Sequence, residues 1–214
     1  LNNEADLAVH SLKDLPIEDQ KDTLIVSMLE RADSRDILFL KKDIFENYNN
    51  KELRILTSSP RRVYNFSNFL ESLIPFNPSN ITFEDVRGNI PTRLTKLLNG
   101  DCQGLIVAKA AIDRLITYGN KDISTKILSY LDDLLWMIIP LSLNPCAPGQ
   151  GAIAIEVNSK RKDIIELVDK INHIETFSQV AKEREILQNY GGGCHQKIGV
   201  SIESKLFGQI LTIK

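Results

Sequence analysis

Short apolar runs bounded by polar turns open the chain. Leu7-Ala8-Val9-His10-Ser11 and Leu24-Ile25-Val26-Ser27-Met28-Leu29 predict two buried strands. From Leu53 the spacing alternates between two periods. Leu53 to Thr57 predicts a strand, and apolar residues at Val63, Phe66, Phe69, Leu70 and Leu73 predict a helix over 63–74 that Pro75 and Pro78 close. Ile81 to Val86 predicts the next strand. Asn89 is placed to cap a helix with Pro91 in its first turn, whose apolar face runs through Leu94, Leu97 and Leu98 until Gly100 stops it. A strand at Gly104 to Ala108 and a helix at Lys109 to Tyr118 complete a β-α-β-α-β-α run, which implies a parallel sheet with right-handed crossovers.

The texture changes after Ile123. A proline-rich segment from Pro140 to Pro148 reads as a connection back to another domain, ending in Gly149-Gln150-Gly151 and a strand at Ala152 to Val157. Helical stretches follow at Asp163 to Ile171 and Glu175 to Tyr190. Ile198 to Ile202 and Leu206 to Ile213 can pair as an antiparallel hairpin across Glu203 to Lys205. No internal repeat or low-complexity tract interrupts the series.

Composition narrows the classes. The 214 residues are 43% hydrophobic and 25% charged, the make-up of a folded chain with room for one large or two smaller domains. A net charge of -2 gives no general pull toward nucleic acid or an anionic membrane, so anion binding must come from local clusters. The longest apolar stretch, Leu134 to Leu143, contains Pro140 and is too short for a spanning helix. Cys102, Cys146 and Cys194 are odd in number and lack paired CxxC spacing, against a disulfide framework or a structural zinc and in favour of a reducing, cytosol-like compartment.

Three places carry candidate chemistry. Thr57-Ser58-Ser59-Pro60-Arg61-Arg62 and Arg87-Gly88-Asn89 lie at successive strand-to-helix junctions, with Arg93 one turn into the second helix. Ligands of open α/β sheets bind beyond the carboxyl ends of the strands, where helix N-termini favour anions, so these arginines point toward a polyanion. A solvated basic surface is the plainer alternative, and RNA lacks the interleaved aromatic residues it would use. Asp14 follows the first strand, beside Lys13 and before Pro16, where a carboxylate can face a ligand and handle charge or a proton, or can simply be a turn residue. Cys194 ends Gly191-Gly192-Gly193-Cys194, a run without Cβ atoms that lets a bulky group approach and suits covalent attachment; an incidental cysteine in a flexible loop is the alternative.

Five motifs, in order, resemble the hydroxymethylbilane synthase family, also called porphobilinogen deaminases. They are Ala8-Val9-His10-Ser11-Leu12-Lys13-Asp14-Leu15-Pro16, Thr57-Ser58-Ser59-Pro60-Arg61-Arg62, Arg87-Gly88-Asn89-Ile90-Pro91-Thr92-Arg93-Leu94, Pro148-Gly149-Gln150-Gly151-Ala152 and Gly192-Gly193-Cys194. The resemblance implies a transferase that joins four porphobilinogen molecules head to tail, releases ammonia and makes the linear tetrapyrrole hydroxymethylbilane. It implies a covalent dipyrromethane cofactor on Cys194, no metal, and Asp14 as the catalytic acid-base group. Lys13, Ser59, Arg61, Arg62, Arg87 and Gly88 are implied to bind the cofactor, and Ser11, Arg93, Arg114 and Gln150 the substrate. It further implies a cytoplasmic enzyme that is a monomer at full length, with a small molecule rather than nucleic acid or membrane as partner.

The implied fold is α/β, with hinged domains resembling type II periplasmic binding proteins and a small α+β C-terminal domain carrying the cofactor cysteine. Residues 1–30 with 146–168 would form the first domain, 34–143 the second and 172–214 the third, with hinges near Glu30 to Ser34 and Leu143 to Pro148. Against the family pattern, the opening β-α-β-α stretch is expected to be missing, the third domain to stop after two strands, and Lys197 to stand where proline is common; the fragment alone is therefore expected to be inactive. Two other classes remain open: a solute-binding module, and a transferase using Cys194 as a turnover nucleophile with His195 as its base.

Overall fold

In the computed structural model, which describes residues 5–17, 20–44, 51–191 and 197–214, the chain divides into two units, 35–144 and 1–34 with 145–214. Within 35–144 a five-stranded sheet has the order β5-β4-β6-β3-β7, with β3 at Asp36–Lys41, β4 at Glu52–Leu56, β5 at Asn80–Glu84, β6 at Gly104–Ala108 and β7 at Leu134–Ile139. The strands β4, β5 and β6 are parallel, as the alternating pattern predicts. The sheet as a whole is mixed, because β3 runs antiparallel to both β6 and β7. Sequence reading missed β3 because a strand buried on both faces is a continuous apolar run without alternation, and β7, a partly exposed edge strand, is an apolar run with no alternation of its own.

Both faces of this sheet are covered. Along β3, Ile37 and Phe39 face a cluster with Leu94, Leu97, Ile112 and Ile127 from the helices Ile90–Asn99, Lys109–Tyr118 and Lys121–Asp132. Leu38 and Leu40 face the opposite cluster with Phe66, Phe69, Leu70 and Ile74, as the period of two requires. Each such burial contributes about 1.5–3 kcal/mol. The helix expected over 63–74 is instead Pro60–Ser67 followed by a short turn, Leu70–Leu73. Ser67 and Asn68 side chains donate back to the Val63 and Tyr64 carbonyls at 2.7 Å, a local competition that interrupts the backbone ladder. The unrecognised helix Lys121–Asp132 begins at Asn120, whose side chain accepts from the Ile123 amide.

The other unit holds an antiparallel sheet of order β1-β8-β2, with β1 at Leu7–Ser11, β2 at Thr23–Met28 and β8 at Ile153–Asn158. Here the burial expected of the first two strands fails: Val9 is 60% and Leu24 51% exposed. Both lie on edge strands, and on one face the sheet packs around Met28, Ala152 and Ala154 on Leu12 and on Val180 of the helix Ile174–Asn189. The opposite face carries Ile155 and Val157 against Val168 of the helix Lys162–Asp169. The predicted hairpin exists with its turn three residues later, β9 at Val200–Lys205 pairing β10 at Gly208–Ile213.

A buried ion pair ties this unit together. Glu183, fully buried, receives Arg31 Nη1 at 2.8 Å and Nη2 at 2.9 Å, the Gly149 amide at 3.0 Å and the Ile202 amide at 2.9 Å. One carboxylate thus joins the end of β2, the glycine turn before β8 and the hairpin to the long helix. Among the described residues no helix is long and apolar enough to cross a membrane.

Candidate functional site

The arginine motifs sit at one end of the sheet in 35–144. β4 runs through buried Thr57 into Ser58 and Ser59, and the Ser59 side chain caps the next helix by accepting from the Arg62 amide, with Pro60 in its first turn. Two residues beyond β5, Ser58 Oγ donates to the Val86 carbonyl, which joins the two loops. Gly88 then turns at φ +115°, where an added Cβ would lie 2.9 Å from Thr92 Cγ2. That turn delivers Asn89 as the cap of Ile90–Asn99, its Oδ1 accepting from the Thr92 amide at 3.0 Å.

Arg61 and Arg62 turn inward, where the sequence expectation had them facing a ligand. They are 4% and 7% exposed, and both converge on Asp36, a fully buried residue that sequence reasoning did not single out. Arg62 binds it as a fork, Nε to Oδ2 at 3.0 Å and Nη2 to Oδ1 at 2.7 Å, while Nη1 donates to the Ile106 carbonyl at 3.2 Å. Arg61 Nη2 reaches Asp36 Oδ2 at 2.8 Å and its Nη1 reaches Asn144 Oδ1 at 2.9 Å. Burial alone would raise the Asp36 pKa; Arg62 and Arg61 outweigh it and hold the carboxyl well below the ordinary range.

Outside this pair stand Arg87 and Arg93. Arg87 is open to solvent and donates through Nε to Asp85 at 3.1 Å. Arg93 is half-buried, its Nε donates to the Gly88 carbonyl at 2.7 Å, and its terminal nitrogens have no hydrogen-bond partner among the described residues. Its pKa is lowered, first by burial and then by the charges of Arg62 and Arg87, against Asp85 alone. Among the described residues, Arg61, Arg62, Arg87 and Arg93 gather around Asp36 and Asp85 where strands end and helices begin, an arrangement that favours an added anion. Arg114 lies half-buried on the helix that follows β6. The residues present fit a ligand bearing several carboxylates, as dipyrromethane does.

In the other unit, Ser11 ends β1 and Leu12–Asp14 forms a single 3-10 turn. Leu12 is fully buried and its amide donates to the Ala152 carbonyl at 3.1 Å. Asp14 is exposed, and its carboxylate has no hydrogen bond or ion pair among the described residues; Lys13 beside it is half-buried. Gln150 is 1% exposed and its amide donates to the Ser34 carbonyl at 2.6 Å, so the structure gives it an internal partner. His10 is engaged by Glu156 at 2.8 Å. Cys146 is buried. Cys194 and His195 lie outside the described residues, as does most of the glycine run.

An α/β chain with an arginine cluster at the carboxyl ends of parallel strands, and an exposed aspartate on a short turn, defines the class. A family model described as porphobilinogen deaminase, dipyromethane cofactor binding domain, matches residues 1–166, and the chain belongs to the porphobilinogen deaminase family. The porphobilinogen deaminase of Caldicellulosiruptor saccharolyticus is 39% identical over 202 residues, 94% of this chain and 61% of its own length. Those of a Nostoc species and of Syntrophomonas wolfei are each 34% identical, over 95% and 100% of this chain and 57% and 62% of their own lengths. The chain thus spans 57% to 62% of these curated relatives. Among solved structures it is similar to an arginine transport system periplasmic binding protein from Legionella pneumophila, at 17% identity and a TM-score of 0.35, covering 89% of this chain and 73% of that one.

Proposed function

We propose that this chain is the substrate- and cofactor-binding part of a hydroxymethylbilane synthase, and that its arginine cluster holds the carboxylates of pyrroles bearing acetate and propionate groups. The observation that carries this reading is the excess of guanidinium over carboxylate around Arg62, Arg87 and Arg93. Arg87 and Arg93 supply open donors to the ligand. Arg61 and Arg62, fixed by Asp36, add positive potential from within and keep Ser59 and its helix N-terminus in place. A hydrogen bond between charged partners contributes about 1.5–3 kcal/mol, so losing either outer arginine lowers ligand affinity by about 10- to 150-fold.

In the reaction, the C–N bond of the substrate's aminomethyl group breaks and ammonia leaves. A C–C bond then forms between that methylene and the free α-carbon of the growing chain, which loses one proton. Asp14 serves both halves: its negative charge stabilises the electron-poor pyrrole left by ammonia, and it receives or passes on the departing proton. It is exposed and has no partner among the described residues, which leaves both oxygens available for this. Lys13, Ser11 and Arg114 contribute to carboxylate binding, and Gln150 acts by holding Ser34. Dipyrromethane, bound through Cys194, supplies the pyrrole to which the first substrate is joined. Four condensations followed by water give hydroxymethylbilane. Free thiols such as Cys102 and Cys146 support a cytoplasmic location for the enzyme.

The test is porphobilinogen turnover with ammonia release in the full-length polypeptide. Asp14→Asn is expected to retain substrate binding and lose about 100-fold or more in kcat, since the amide keeps the shape without the charge. Turnover near that of the wild type would refute the role of Asp14.

A further inference from the structure

Asp14 sits on a single short turn, Leu12–Asp14. Its side chain has no partner among the described residues, so its direction is set by the backbone from Leu12 to Pro16. The first end of that segment is anchored by the buried Leu12 side chain and by the Leu12 amide on Ala152. At the other end, the Leu15 amide donates only within the turn, to the Leu12 carbonyl at 3.1 Å, and Pro16 has no amide proton to give. The carbonyls of Leu12, Leu15 and Pro16 converge instead on one side chain, Arg184 of the helix Ile174–Asn189. Its Nη1 lies 3.4 Å from both the Leu12 and Leu15 oxygens, and its Nη2 donates to Pro16.

We propose that Arg184 is a positioning residue for Asp14: its guanidinium gathers the three carbonyls of the turn and so fixes the direction in which the carboxylate points. This rests on the role given to Asp14 above. A guanidinium is suited to the task because its donors form a rigid planar fork that spans two separate acceptors, which a compact ammonium group does not. The contact is to the backbone of the turn and not to Asp14 itself, so the charge and exposure of the carboxylate stay as catalysis needs them. Displacing a reacting group by about 1 Å costs up to about 100-fold in rate.

Two measurements decide this. In the 214-residue chain, Arg184→Met is expected to speed hydrogen exchange at the Leu12 and Leu15 amides by about tenfold or more while the Val200–Lys205 strand stays as protected as before. Unchanged exchange in the turn, or equal loss of protection in the strand, overturns the proposal. In the full-length enzyme, Arg184→Met is expected to lower kcat by about 10- to 100-fold with KM within about twofold, and Arg184→Lys to recover part of the loss. The same change in an Asp14→Asn background is expected to cost less than about threefold, because the group being positioned is already gone. Additive losses in the double variant, or a raised KM with kcat unchanged, overturn the positioning role. If Arg184→Met does not fold, Arg184→Lys carries the same comparisons with a smaller expected loss. A wild-type enzyme that releases no ammonia from porphobilinogen refutes the proposed function instead, and the exchange result then decides the anchoring alone.

Discussion

Asp36→Asn removes one negative charge from beneath two buried guanidinium groups and changes almost no volume. In the wild type, Asp36 accepts from Arg61, from Arg62 through both oxygens and from Asn144 at 2.8 Å, with no exposed surface of its own. The asparagine keeps one acceptor oxygen and aims an amide at a guanidinium. Breaking a buried ion pair from one side costs about 3–5 kcal/mol, a large part of the 5–15 kcal/mol that holds a typical domain. Trp136, the single tryptophan, lies on β7 opposite Phe39, so its fluorescence reports unfolding of this unit. With a urea slope of about 2 kcal/mol/M, the midpoint should fall by about 1.5–2.5 M. The pH dependence follows from the lowered pKa of Asp36. Its stabilisation is complete above the unfolded value of about 4 and is lost as pH falls through the folded value, so the gap between wild type and variant is constant near neutrality and closes in strong acid. A gap below about 1 kcal/mol at pH 7, or one that widens in acid, would refute the reasoning.

Glu183→Gln is expected to cost the other unit about 3–5 kcal/mol by stranding Arg31, and to expose the Gly149 and Ile202 amides to hydrogen exchange before the rest of the sheet. Gly151→Ala meets the Ala32 carbonyl at 2.5 Å from a backbone at φ +87°, so thermal unfolding of that unit should show a loss of about 1–3 kcal/mol, while the equivalent change at Gly208, which has open space around it, should show only the strain of its φ. Arg87→Leu and Arg93→Leu should each weaken porphobilinogen binding in the full-length enzyme, measured by calorimetry, with Trp136 unfolding unchanged.

Much of the architecture was legible because it rests on local signals. Asn89 with Pro91 starts its helix as the cap rules predict, and Gly100 ends it, whereas the cap at Ser59 with Pro60 was passed over and that helix was expected three residues too late. The parallel strands β4, β5 and β6 were found because helices with clear apolar periods separate them. The strand β3 was missed because Asp36-Ile37-Leu38-Phe39-Leu40 gives no alternation, and with it went Asp36, whose importance comes from Arg61 and Arg62 far along the chain. Arginines at a strand end announce an anion site in sequence. Which of them face outward depends on whether a buried carboxylate has claimed them, and that is a property of packing. Arg184 was invisible for the same reason, since its partners are backbone oxygens that carry no residue signature.

The central claim is a carboxylate-rich dipyrrole held by these arginines and joined to Cys194, and mass spectrometry of the full-length polypeptide as purified tests it most directly. Peptide mapping should place two linked pyrrole rings on the fragment containing Cys194 and none on Cys102 or Cys146, and Cys194→Ser should abolish the adduct. A bare Cys194 thiol in a protein that still converts porphobilinogen, or pyrroles carried on either other cysteine, would contradict the account.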